Sequence, residues 1–145
     1  MRIRFILGIL ILLLACALQF WFASAGMFVN FILAALIVFA FFFDVWELVA
    51  FILAAVFIVN WQPGISPDII VFALIPVAAF VFHKAFALAP WVAMPASIVA
   101  GFAVLYLALA PASFVPRIGL FGNDLLGSLV FAALVFGTLE RLGRA

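Results

Sequence analysis

Asp44 and Glu47 stand three residues apart inside FAFFFDVWELVAF, residues 39–51, where every neighbour is apolar. Two carboxylates in that setting suit one of two chemistries. Ionisable groups at bilayer depth mark ion or substrate paths, whereas Asp-x-x-Glu at the start of a helix is a capping pair. In a cap, the aspartate accepts from the backbone near Glu47 while Glu47 reaches back to the N–H of Asp44. Capping is the expectation, with the pair starting a helix at the cytoplasmic boundary, because both negative charges also suit a helix amino terminus. Ser66-Pro67-Asp68 repeats the device as cap, first-turn proline and acid, and Asn123-Asp124 is expected to open the last helix.

The other reactive side chains lack partners in sequence. His83 is the single histidine and lies beside Lys84, an interfacial residue rather than a base or ligand. Ser24, Ser66, Ser97, Ser113 and Ser128 have no nucleophile-elbow context, and the glycines form no phosphate-cradling loop. A single cysteine, Cys16, allows neither an intramolecular disulfide nor metal-ligand spacing. The expectation is a protein that is not an enzyme and takes no cofactor or metal. A second set of polar residues is predicted to gather on the outer side: Gln19, Asn30, Asn60, Gln62, Asp68, Asn123 and Asp124. In lipid such groups need partners, so they either bond helices to one another or line a small-molecule pocket.

Composition says what must position these groups. With 73% hydrophobic and 8% charged residues, against about 25% charged in globular proteins, the chain has the bilayer as its solvent. Its 145 residues hold one domain, residues 1–145, without a soluble part. The net charge of +1 and the absence of basic runs exclude a nucleic-acid surface. Predicted helices cover 5–22, 28–43, 45–61, 68–83, 91–110 and 124–142, separated by turn-forming clusters such as Gln62-Pro63-Gly64 and the segment 111–123 with its prolines and glycines. The amino end also has the look of a secretory signal, but an apolar run of about 18 residues exceeds the usual signal core of roughly 7 to 15, so the first helix is expected to be retained.

Charge distribution orients the array. With six spans, Arg2, Arg4, Lys84, Arg141 and Arg144 fall on one side and only Arg117 on the other, which predicts a multi-pass protein of the inner (plasma) membrane with both termini cytoplasmic. Merging helices 2 and 3 would strand Asp44 at mid-membrane at a cost of about 2.5 to 3.5 kcal/mol. Trp21, Trp46, Trp61 and Trp91 all fall near predicted helix ends, where indoles prefer the headgroup boundary. Small-xxx-small pairs, Ala50 with Ala54, Ala96 with Ala100, Ser97 with Gly101 and Ala133 with Gly137, permit close helix approach.

A small six-helix chain, a first helix ending near Gln19, an asparagine at the start of helix 2 in Phe28-Val29-Asn30-Phe31-Ile32-Leu33, and a tight turn into helix 3 together resemble the MreD family of rod-shape-determining proteins. Where that family usually has a proline before the asparagine, this chain has Val29, and after helix 3 it reads Asn60-Trp61-Gln62-Pro63-Gly64. The resemblance implies a non-enzymatic membrane component of the cell-elongation machinery that cooperates with peptidoglycan synthesis and binds an MreC-like partner. MreD is in turn similar to the substrate-binding S-components of energy-coupling-factor transporters. The leading expectation is thus a scaffold that docks other membrane proteins, and the alternative is a vitamin-type transporter subunit using the outer polar residues for its ligand.

Overall fold

The computed structural model describes residues 2–27, 29–59, 66–86, 88–109 and 118–144. Among them the chain is all-helical, with six helices: α1 Arg2–Ser24, α2 Phe31–Phe42, α3 Val45–Val59, α4 Pro67–Ala85, α5 Pro90–Leu109 and α6 Ile118–Arg144. Four of these, α1, α4, α5 and α6, are long and apolar enough to cross a membrane, which marks the chain as a membrane protein. Trp21, Trp46 and Trp91 are exposed within a turn of the ends of α1, α3 and α5; Trp61 lies outside the described residues.

The organising element is the shortest. FILAALIVFAFF in α2 has no polar side chain on any face, and a helix apolar all round has to be surrounded. It is: each residue from Phe31 to Ala40 is buried, and α2 touches all five other helices. Those five close a ring around it, α1 against α3, α3 against α4, α4 against α5, α5 against α6, and α6 back against α1. Successive residues of a helix point about 100° apart, so the consecutive phenylalanines after Ala40 fan out to different neighbours. Phe41 meets His83 of α4 at 4.6 Å between ring centroids, Phe42 meets Phe136 of α6 at 4.9 Å, and Phe43 meets Phe51 of α3 at 5.0 Å.

Two turns deliver α2 to the axis. The first closes α1 with both bonds of a Schellman motif, Met27 N–H to Phe22 C=O at 2.9 Å and Gly26 N–H to Ala23 C=O at 3.0 Å. Gly26 takes φ +77°, where an L side chain is strained, and the space around it is open. Gly26→Ala is therefore expected to cost about 1 kcal/mol from backbone strain alone, measurable as a lower denaturant midpoint in mixed micelles with no change in helix content.

The second turn answers the question of Asp44 and Glu47. The stretch 39–51 does not run on as one helix: Phe43 is extended, at φ −111° and ψ 155°, and α2 and α3 fold back on each other as a hairpin. Asp44 C=O accepts the first bond of α3 from Leu48 N–H at 2.9 Å, and Glu47 Oε2 accepts from Asp44 N–H at 3.3 Å, the reach-back half of the capping box. That bond is long and exposed, so Glu47→Ala is expected to lower stability by only about 0.5 kcal/mol, at the weak end for a cap. Thermal unfolding in detergent would check it. At α4, Ser66 is the cap and Pro67 the first helical residue, with Asp68 in the first turn; the Ser66 side chain makes no capping bond, and its carbonyl takes Ile69 N–H at 3.1 Å instead.

Several boundaries shift by one to three residues, α1 for instance beginning at Arg2 rather than 5, and two of the differences bear on the polar residues. α2 begins three residues later, with Asn30 as its cap rather than inside it, and α6 begins at Ile118 rather than 124. Asn123-Asp124 therefore does not open α6 but lies in its second turn. The acid was free to serve a different helix.

Candidate functional site

A helix of 12 residues rises only about 18 Å, against a hydrocarbon core of about 30 Å. In the middle of a ring of longer helices, the amino end of α2 is enclosed by protein, with Val29, Phe31 and Ile32 buried. Its first N–H groups must be met by protein. The polar residues at this end do that.

Asp124, 4% exposed, reaches from α6 so that Oδ1 accepts from Asn30 N–H at 2.7 Å. Gln19 reaches from α1, and its Oε1 accepts from Ile32 N–H at 3.1 Å. Asn30 Oδ1 accepts from Leu33 N–H at 3.1 Å, the cap bond proper. Two further donors complete the carboxylate: Tyr106 O–H of α5 to Oδ2 at 2.7 Å, and Ser128 O–H to Oδ1 at 3.3 Å. Side chains of α1, α5 and α6 thus converge on the amino terminus of α2, where the helix dipole also favours the aspartate's negative charge. Phe31 stands edge-on to Phe22 and Phe131, each at 5.2 Å, while Tyr106 packs edge-on to Phe121 at 5.1 Å. These rings shield the node, and in so apolar a setting each hydrogen bond is strong and each unpaired group costly.

Gln19, Asn30 and Asp124 are the members of the predicted outer set that come together. Asp68 and Asn123 are exposed on α4 and α6, and Asn60 and Gln62 lie outside the described residues. Tyr106 and Ser128 were not anticipated. A signal for each existed: Ser128 follows Asp124 by one helical turn, and Tyr106, the single tyrosine, is a hydroxyl in an otherwise apolar stretch that needs a partner.

At the opposite end Asp44 and Glu47 line a cleft of about 210 Å³ with Arg4, Phe42 and Phe43. Lys84 Nζ lies 5.6 Å from the centre of the Phe80 ring, a cation on an aromatic face. Among the described residues no three of His, Cys, Asp and Glu gather as metal ligands. A roomier concavity lies elsewhere. It is an apolar groove of about 520 Å³ between α4 and α5, walled by residues such as Leu74, Ala78, Ala96 and Ala100 that are exposed on the outside of the ring. None of Gln19, Asn30 and Asp124 lines the cleft or the groove.

The arrangement is suited to holding a buried helix in place: its acceptors are spent on backbone and neighbouring hydroxyls. Compared with protein-family models, curated proteins and solved structures, the chain finds no match.

Proposed function

We propose that this protein is a six-span, multi-pass scaffold of the inner (plasma) membrane, with both termini cytoplasmic, similar in role to the MreD component of the bacterial cell-elongation machinery. It acts by docking other membrane proteins, an MreC-like partner among them, and carries out no catalysis. The observation that carries this reading is the use made of the polar residues. Gln19, Asn30 and Asp124 bond to the start of α2 and its neighbours, whereas the roomier of the two concavities is apolar and faces outward between two helices. A ligand-binding subunit needs convergent polar groups left over for its ligand; a scaffold needs a rigid body with an apolar outer surface for other helices.

The topology is supported from the same contacts. Phe5 packs on Phe51 at 5.1 Å, Phe41 on His83 at 4.6 Å and Trp91 on Phe136 at 4.7 Å. The beginnings of α1, α3 and α5 therefore share one end with the close of α2, α4 and α6. The helix segments at that end include Arg2, Arg4, Lys84, Arg141 and Arg144, the basic residues expected on a cytoplasmic face.

Depletion in the host tests the reading: rod-shaped cells are expected to round up, with uptake of vitamins unchanged. Cells that keep their shape and lose uptake of a small molecule would overturn it in favour of a transporter S-component. Labelling of single cysteines placed at each terminus, with Cys16→Ser as background, is expected to find both ends reactive only from the cytoplasm.

A further inference from the structure

We propose that the outer leaflet of the bilayer is thinned beside α3, so that the outward face of this helix binds phospholipids with shorter acyl chains than the face of α1 does. This goes beyond docking and rests on the six-span part of the reading above, which labelling of the two termini tests separately.

Length is the first observation. Of the five helices in the ring, α1, α4, α5 and α6 are long and apolar enough to cross a membrane, and α3 is not. Its 15 residues rise about 22 Å, roughly 8 Å short of a hydrocarbon core of about 30 Å. Polar residues mark both limits of the apolar stretch. Asp44 and Glu47 stand at its start, and the sequence turns polar directly after Val59, at Asn60 and Gln62.

Packing against α1 locates the shortfall. A Cβ on Gly8 would lie 2.5 Å from the tip of the Phe51 ring, so the two helices are level at these residues. They also keep pace toward their starts, where Arg4 of α1 and Glu47 of α3, each one turn before that level, line the same cleft. Toward their far ends they part. From Gly8 to the exposed Trp21, α1 climbs about 20 Å, whereas from Phe51 to its last residue, Val59, α3 climbs about 12 Å. The missing length therefore lies at the outer end.

The outward face of this short helix is open. Val49, Leu53 and Phe57 are exposed along it, Phe57 at 85%. A helix too short for the bilayer gains nothing by tilting, since tilt shortens its span further. Contacts with α1, α2 and α4 also keep α3 from sliding outward. The adjustment left is in the lipid, whose headgroups come down to the level of Val59 and so leave Asn60 and Gln62 outside the hydrocarbon. On α1 the exposed apolar side chains run from Ile3 to Trp21, about 28 Å, and ordinary chains fit.

Quenching of tryptophan fluorescence by brominated phosphatidylcholine tests this in the full chain reconstituted into bilayers. Two variants each keep one tryptophan near an outer helix end, the others being replaced by phenylalanine. One retains Trp21 on α1; the other carries Phe57→Trp on α3. Maleimide protection of the buried Cys16 shows that each is folded. Competition among lipids with myristoleoyl, oleoyl and erucoyl chains then gives the relative affinity at each site. At position 57 the myristoleoyl lipid is expected to bind about threefold more strongly than the oleoyl lipid, as relief of mismatch requires, while Trp21 shows no such preference. The same chain-length preference at both sites, or a preference for oleoyl or longer chains at 57, would overturn the proposal. Absence of quenching at 57 would overturn it too, by showing that protein covers this face, and would leave the scaffold reading standing.

Discussion

Asp124→Leu is expected to destabilise the bundle by about 3 kcal/mol or more. The carboxylate is 4% exposed and accepts from Asn30 N–H, Tyr106 O–H and Ser128 O–H. Leucine of similar size leaves at least the Asn30 and Tyr106 donors without partners, and a buried unpaired donor costs about 1–3 kcal/mol. Water cannot easily make up the difference, because the position of the carboxylate is almost wholly enclosed. Asp124→Asn should cost less, about 1–2 kcal/mol, because an amide keeps one oxygen for Asn30 and offers Tyr106 an N–H if the phenol turns round to accept. Unfolding in mixed detergent micelles would measure both. The labelling rate of Cys16 gives a local readout, since it is buried one turn before Gln19 on the α1 face that borders α2. Equal stability of wild type and Asp124→Leu would mean that the node does not hold α2.

Gly101→Ala should cost about 1–3 kcal/mol by overpacking, a large effect for one methyl group. A Cβ at this position would lie 2.6 Å from Ile75 Cγ2 and 3.2 Å from Ile37 Cδ1. Both isoleucines are buried, and Ile75 is branched at Cβ, so Cγ2 has no free rotation by which to retreat. The methyl must instead push α4 off α5 at the point where both meet α2. The interaction is specific enough for a double-mutant cycle. Ile75→Ala removes the clashing Cγ2, so the pair Gly101→Ala with Ile75→Ala should be less damaging than the sum of the singles by about 1 kcal/mol. Additive effects would show that the helices yield elsewhere.

Much of the fold was legible because its signals are local. The six helices follow from apolar runs of helical length broken at Gly26, at Asp44, in the segment around Pro63 and Gly64, before Pro90, and between Leu109 and Ile118. Glu47 reaching back to Asp44 could be read directly, since both partners of that bond lie within one turn of chain.

The start of α6 was misplaced for an instructive reason. Gly119 and Gly122 after Pro116 look like loop, and Asn123-Asp124 looks like a cap, so local propensity favoured a helix start at 124. The helix begins at Ile118, and its acid caps α2, 94 residues away along the chain. Nothing near Asp124 states which helix end it serves, because a carboxylate suits any of them.

Residue types alone determined the solvent, the helices, the hairpin turn at Asp44 and the presence of polar groups that lipid would not tolerate unpaired. Only the packed structure decided that α2 is the axis of a five-helix ring and that Gln19, Tyr106, Asp124 and Ser128 meet at its amino end. Helix formation and capping are settled within a turn or two of chain. The partner of a buried N–H is whatever acceptor the tertiary arrangement carries to within about 3 Å of it.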